Sequence, residues 1–229
     1  MNLAIMQPYL FPYIGYFQLI NAVHAFVIYD DVNYIKGGWI NRNFIYARDD
    51  KQLITLPLQG ASPNKRINQI LVGHGSHKLL KTIQQTYLNA PQFHAVFPLI
   101  EDILTQEEKN LARFVDYQLR KLCEYLDIRT KWYRSSELKH KKELSGQERV
   151  LEICDEMGTT CYINSARGEN LYSKADFLRR GTQLSFLQTN TLPYPQFSNI
   201  FSPNLSIIDV MMFNNKAQCT KLLQGYELV

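Results

Sequence analysis

Apolar and polar positions alternate along this chain in two rhythms. Leu3–Met6 and Ala25–Tyr29 are short, unbroken apolar runs, as expected of strands buried on both faces. Between them, Tyr16, Leu19, Ile20 and Val23 recur at helical spacing after Gly15. Strand, helix, strand predicts a parallel pair with a right-handed crossover. Phe44–Ala47 and Gln52–Leu58 flank Arg48-Asp49-Asp50-Lys51 and predict a hairpin, followed by a polar loop over Gly60–Arg66. Ile67–Val72 alternates and predicts a half-buried strand.

Helical stripes follow. Ser76 is placed as the N-cap of a helix from His77 to about Leu88, and a short helix is expected around Gln92–Leu104, with Pro98 limiting its regularity. Thr105-x-x-Glu108 reads as a capping box for a helix ending near Leu126, and Ser145-x-x-Glu148 as another, for a helix stopped by Gly158. Strands are expected at Lys131–Tyr133, Thr160–Ile163 and Leu184–Leu187. A short helix is expected at Leu171–Arg179, and a last one at Leu205–Phe213, capped by Asn204. The fold class is α/β, with a mostly parallel, Rossmann-like sheet. One domain spans 1–229, with helices over about 76–128 as an inserted lobe.

The segment Gln7–Phe17 departs from these rhythms. Pro8 and Pro12 forbid a regular helix across its first half, yet it is crowded with Tyr and Phe. It lies at the carboxyl end of the first strand, as the Asp30–Arg42 connection, with its Gly37-Gly38 turn, lies at the end of the second. Ligands of open parallel sheets bind outside those ends. Gln7, Tyr9, Tyr13 and Tyr16 are therefore candidate ligand contacts.

Composition narrows the class. The 229 residues carry a formal charge of +4, 45% hydrophobic and 20% charged residues, as in an ordinary globule. Fourteen Tyr and twelve Phe are the unusual feature; Tyr combines an apolar body with a polar tip, which suits clefts. Nucleic-acid motifs are absent, so no nucleic-acid partner is expected. Lys139-His140-Lys141-Lys142 reads as a solvated basic loop. Cys123, Cys154, Cys161 and Cys219 lack close pairing and read as reduced structural thiols. With no leader and no run long enough to span a bilayer, a cytoplasmic location and no membrane span are expected.

Candidate chemistry centres on Asp30 and Asp31 at a strand end. Successive strand residues point to opposite faces, so one carboxylate would face the cleft while the other caps or pairs with Lys36 or Arg42. A general base, a metal hold and a loop salt bridge all fit this pair. Trp39, Asn41, Arg42 and Asn43 form a donor-rich set of candidate ligand contacts in which the Arg42 fork suits a carboxylate or phosphate, with Lys36 as a second anion binder. His77 is a candidate base; beside His74, the flanking Gly73 and Gly75 argue against zinc, and no metal is assigned. His24, His94 and His140 read as structural or surface residues. Asn164–Gly168, with Arg167, forms a second loop at a strand end, where an anion site and packing fit equally. Ser135-Ser136 follows a strand, but without a Gly-x-Ser-x-Gly elbow a triad hydrolase is not expected. Tyr194 and Gln196 sit in an extended stretch. Ser206 and Asp209 share a helix face, and a buried Asp209 either anchors a network with partners such as Arg42 or Gln196 or completes the active site, so Tyr194, Gln196 and Asp209 are also candidate ligand contacts.

Several of these segments together resemble a known family. Gln7-Pro8-Tyr9-x-x-Pro12-Tyr13-x-Gly15-Tyr16-Phe17-x-Leu19-Ile20 is similar to the opening signature of the WbqC-like family. The similarity continues through Asp30-Asp31-Val32-x-Tyr34-x-Lys36-x-x-Trp39-x-Asn41-Arg42-Asn43, Tyr172-x5-Leu178, Tyr194-Pro195-Gln196 and Leu205–Asp209. The resemblance implies a role in surface-polysaccharide (O-antigen) assembly: transfer of an acyl or aminoacyl (glycine-type) group onto an amino sugar or similar amine. The substrate would be a small molecule or carrier-linked. It names no particular cofactor, which stays open, and carries over no catalytic residues. Two alternatives stand beside it. One is a non-catalytic module that holds a nucleotide-sugar or carrier-linked intermediate. The other is a nucleotidyl or adenylate-forming enzyme, by analogy with nucleotidyltransferases, whose His-x-Gly-His turn lies where Tyr13-x-Gly15-Tyr16 stands here.

Overall fold

A computed structural model describes residues 1–47, 50–139 and 143–229. Its centre is a six-stranded sheet. In chain order the strands are β1 (Asn2–Met6), β2 (Ala25–Ile28), β7 (Lys131–Arg134), β8 (Cys161–Ser165), β9 (Gln183–Thr189) and β10 (Tyr226–Leu228). Their spatial order is β10-β9-β8-β1-β2-β7, parallel except for β10, which runs antiparallel to β9. Counting the parallel strands alone gives the doubly wound order 3-2-1-4-5, so the sheet is Rossmann-like. The chain winds one way from β1 through β2 to β7, then returns to lay β8 and β9 on the other side of β1. The point of reversal lies between β1 and β8. Their ladder pairs only Asn2 with Cys161 and Leu3 with Tyr162, although the strands run on to Met6 and Ser165. The two strands therefore part toward their carboxyl ends.

The central strands β1 and β2 are largely apolar because both faces are covered, whereas the edge strands β7 and β10 are more polar and more exposed. Ala4, Phe26, Ile28, Ile163 and Leu187 face one core, while Leu3, Ile5, Ala25, Val27, Tyr162, Leu184 and Phe186 face the other. The first core holds the apolar stripes of α1 (Ile14–Asn21), α2 (Ser76–Tyr87), α3 (Phe93–Thr105), α4 (Leu111–Tyr125), α7 (Ile207–Phe213) and α8 (Lys216–Leu223). The second holds α5 (Gly146–Glu156) and α6 (Lys174–Arg179). The long passage between β2 and β7 carries the antiparallel pairs β3 (Arg42–Ala47) with β4 (Asp50–Thr55) and β5 (Leu58–Gln59) with β6 (Leu71–Val72), besides α2–α4. Of the expected Arg48-Asp49-Asp50-Lys51 connection, Asp50 and Lys51 belong to β4, while residues 48 and 49, and residues 140–142 of the basic cluster, lie outside the described residues.

Several boundaries differ from the sequence expectation. Ile67–Val72 is a 3-10 turn over Ile67–Gln69 followed by the two-residue β6, because the Asn68 N–H donates to Asp30 O, the Ile70 N–H donates back to Ile67 O, and Ile70 O accepts from the Leu111 N–H of α4, in place of a ladder. Gly75, at φ 110°, precedes α2, so Ser76 lies inside the first turn. Thr105 is the last residue of α3, and Asn110 caps α4 by accepting from the Arg113 N–H at 3.2 Å. Ser145 precedes α5 but its hydroxyl makes no capping bond. Leu171 closes a 3-10 turn before α6. Ser206, not Asn204, caps α7, and α8 and β10 follow α7, beyond the last helix that the sequence predicts.

Two buried features fix the packing. Gly15 opens α1 against β9, where an added Cβ would overlap the Tyr13 ring and Thr189 Oγ1. Asp209 on α7 is 0% exposed. Its Oδ1 accepts from Tyr87 Oη at 2.8 Å, and its Oδ2 from Tyr194 Oη at 2.7 Å and Gln196 Nε2 at 2.6 Å. Tyr87 Oη in turn accepts from the Tyr46 N–H at 3.1 Å. Asp209 is thus a hub that joins α7 to α2, the β3–β4 hairpin and the 190–206 segment. Gln196 is its partner, as the sequence allowed; Arg42 is not.

Gly15→Ala should destabilise the protein by about 1–3 kcal/mol in urea unfolding, because the core must shift to seat one methyl group. Burial raises the Asp209 carboxyl above its ordinary value, against the opposing hydrogen bonds of Tyr194, Gln196 and Tyr87. A folded-state value above the unfolded one means that the native protein holds this proton more tightly. The group's contribution is then fully present below about pH 4 and is lost as pH rises through the folded value. Asp209→Asn does not titrate, so its stability relative to the parent should improve as pH rises from about 4 to 7. A gap independent of pH would show that folding leaves this carboxyl unshifted.

Candidate functional site

The Gln7–Tyr13 loop is held at the carboxyl edge by polar side chains from three distant elements. Gln118 of α4, 0% exposed, accepts from the Phe11 N–H and donates to the Tyr9 carbonyl, both at 3.1 Å. Asn43 of β3 donates to the carbonyls of Leu10 and Phe11 at 3.1 and 2.8 Å. Ser206 donates to Phe11 O at 2.8 Å. Phe11 itself has φ +40°, unusual for a side chain of that size, and these bonds hold it there. Tyr16 closes the loop from within by donating to Gln7 O at 2.8 Å.

This scaffold sets tyrosines at the gap between β1 and β8. Arg167, in the turn after β8, lies over the Tyr13 ring at 5.9 Å from its centroid. Tyr9 stacks at a tilt on Tyr16, with ring centres 5.5 Å apart. Burial raises the Tyr9 hydroxyl first, Tyr13 adds to that, and Arg167 opposes it, which places all three in one electrostatic neighbourhood. Arg167 is exposed, and among the described residues it has no carboxylate partner. Gly168 beside it packs on the Asn164 amide, whose Oδ1 accepts from Ser165 N–H at 2.7 Å.

The two carboxylates after β2 are both buried and both engaged. Asp30 accepts from Ser135 Oγ at 3.1 Å, Ser136 N–H at 3.0 Å, Ser136 Oγ at 2.7 Å and Asn68 Nδ2 at 3.4 Å. Asp31 accepts from Ser135 Oγ and forms a buried ion pair with Arg149 of α5. The expected pairing with Lys36 or Arg42 is therefore corrected. Arg149 takes that role because α5 brings a buried guanidinium under the strand end, where it also stacks on Tyr29 at 5.1 Å. Burial pushes the Tyr29 hydroxyl up to about 12, with Arg149 working against it.

The other candidates spread out. Arg42 donates to the Gly37 and Gly38 carbonyls and clamps that turn. Asn41 accepts from Tyr34 Oη at 2.8 Å and donates to Leu56 O at 2.9 Å, so it too is committed within the fold. Lys36 and His77 are exposed, and Trp39 stacks edge-on against Phe44. Tyr194 and Gln196 belong to the Asp209 hub, not to the sheet edge. Cys123, Cys154 and Cys219 are buried, and burial raises their thiols, as inert structural cysteines require. Among the described residues no group of three or more His, Cys, Asp or Glu is placed to hold a metal. The structural roles of Gln118 and Arg149 were missed from sequence. The signal for Gln118 was present: a glutamine at an apolar position of the α4 stripe.

Arg149→Met should cost about 3–5 kcal/mol, since it leaves the Asp31 charge buried without its cation. Arg149→Met with Asp31→Asn should regain part of that loss in urea unfolding. Equal losses in the single and double variants would show that the ion pair is not what matters there.

A family model described as the WbqC-like protein family matches residues 7–221. The uncharacterized protein Rv1507c of Mycobacterium tuberculosis (strain ATCC 25618 / H37Rv) is 28% identical over 230 residues, covering 97% of each chain. No solved structure matches. No helix among the described residues is long and apolar enough to cross a membrane. A match that takes in both strand-end loops and the sheet strands β2, β7, β8 and β9 leaves one assignment: this chain belongs to the WbqC-like protein family.

Proposed function

We propose that the protein is a transferase that carries an acyl or aminoacyl (glycine-type) group onto an amino sugar or similar amine in surface-polysaccharide assembly. The reaction class rests on the family resemblance. The geometry supports a place and a donor type. The observation that carries it is Arg167: an exposed guanidinium, without a carboxylate partner among the described residues, stacked on Tyr13 where β1 and β8 part. Doubly wound sheets bind ligands at that crevice, and a guanidinium fork suits the phosphate or carboxylate of an activated donor. The hydroxyls of Tyr9 and Tyr13 would orient it. In the transfer, the amine nitrogen bonds to the acyl carbon, the bond to the donor's leaving group breaks, and the amine gives up a proton. Asp30 is assigned that proton, relayed through the Ser136 hydroxyl that donates to it at 2.7 Å.

A second reading, a non-catalytic module holding a nucleotide-sugar or carrier-linked intermediate, is favoured by the full engagement of Asp30 and Asp31. Turnover of any donor–acceptor pair by the purified protein would remove it.

Thermal shift against nucleotides, nucleotide-sugars and acyl-coenzyme A compounds separates the outcomes. A ligand at 100 times its dissociation constant stabilises the native state by about 2.7 kcal/mol. Arg167→Ala should weaken binding of the responding anion by about ten- to a hundredfold, the loss of one charge-assisted contact. As an exposed residue it should cost no more than about 0.5 kcal/mol of stability. Arg42→Ala should show the reverse pattern: lower stability, since Arg42 clamps the Gly37–Gly38 turn, and unchanged intrinsic affinity. Anion binding indifferent to Arg167 would sink the assignment.

A further inference from the structure

Away from the sheet edge, the β3–β4 hairpin, the end of α2 and the 190–206 segment enclose an open groove of about 710 Å³. That is within the roughly 300–1,000 Å³ usual for small-molecule sites. Among the described residues, the eight that line it are all uncharged. Two are aromatic: Phe197, 43% exposed, meets Tyr46 edge-on at 5.5 Å and is braced from behind by Phe213 at 4.7 Å. Three are amides, Gln52, Asn89 and Asn199. All three are exposed, and among the described residues their side chains have no hydrogen-bond partner within the protein.

We infer that this groove is a second binding site and that its ligand is an uncharged saccharide. A pyranose presents a face of C–H groups and a rim of hydroxyls. The exposed ring of Phe197 offers an apolar platform for the face. Each amide offers two donors and an acceptor, and a sugar hydroxyl needs both kinds of partner. Among the described residues the groove has no Arg or Lys lining it to hold a phosphate or carboxylate, so among them the anionic donor proposed for the sheet edge finds no counter-charge here.

The walls are also fixed in advance. The Asp209 hub ties Tyr46 of the hairpin, Tyr87 of α2 and Tyr194 and Gln196 of the 190–206 segment to one buried carboxylate. Lys51 adds a tether from the hairpin to Pro203 O at 2.6 Å. The amide side chains of Gln52, Asn89 and Asn199 are left out of that network and face the groove's solvent. Walls held in place lower the ordering cost of binding.

Saturation-transfer NMR and fluorescence titration of the full chain test this with mono- to trisaccharides of glucose, galactose, mannose, rhamnose and N-acetylglucosamine, with glucuronate and glucose 6-phosphate as charged controls. At least one neutral saccharide should bind saturably, with its pyranose C–H protons receiving the strongest transfer. Phe197→Ala should weaken it about tenfold, the effect of losing a buried-face aromatic contact. Asn89→Ala, at an exposed position without a protein partner, keeps the fold and should weaken it about fivefold, one net hydrogen bond. No saturable binding across the panel, tighter binding of the charged controls, or equal affinity in both variants would each overturn the inference. Anion binding through Arg167 is read in a separate experiment, so the failure of either site leaves the other standing.

Discussion

A buried backbone group must find a partner, and this requirement governs the Gln7–Tyr13 loop. Two prolines deny the loop a helix, and it has no sheet ladder of its own. Its N–H and C=O groups are answered instead by Gln118, Asn43 and Ser206. Those residues come from α4, the β3–β4 hairpin and the cap of α7. One short loop therefore dictates where three distant elements sit, and they in turn hold Phe11 in its left-handed conformation. The tyrosines at the crevice inherit their positions from this network.

The same logic recurs in the two carboxylate clusters. Burying a carboxylate is unfavourable unless donors surround it. Asp30 and Asp31 gather Ser135, Ser136, Asn68 and Arg149, and so tie the end of β2 to the end of β7 and to α5. Asp209 gathers two tyrosines and a glutamine from opposite sides of the groove. In each case a few directional bonds align surfaces that apolar packing alone would leave free to slide.

The centre of the sheet was legible because β1 and β2 are near-continuous apolar runs and the first helix keeps a clean stripe, while the short, exposed β10 carries no such run and was not legible. The carboxyl-edge location followed from those elements alone. Helix starts were less legible: Thr105 and Ser145 match a capping pattern, yet α3 runs through Thr105, and Ser145 makes no side-chain bond. Local pattern cannot register the tertiary contacts that decide which residue ends a helix. Asn41, Asn43 and Arg42 looked like a ligand-binding set because directional donors serve ligands and backbone alike. The fold uses all three on its own carbonyls. Arg167 stood in a loop where packing and anion binding were equally plausible from sequence; its stacking on Tyr13 separates it from the arginines that are consumed in ion pairs.

The strand order has a kinetic consequence. β1, α1 and β2 can pair as soon as they leave the ribosome, and β8 and β9 form a similarly local unit. The pairing of Leu3 with Tyr162 joins these halves across most of the chain, and β7 reaches β2 only after the intervening hairpins and helices have been made. Contacts so distant in sequence form slowly, because loop-closure entropy is lost before they stabilise anything. The crevice between β1 and β8 therefore comes into being only when the two halves of the sheet meet. A growing or truncated chain can carry every tyrosine of the opening loop and still have no crevice for a ligand to enter.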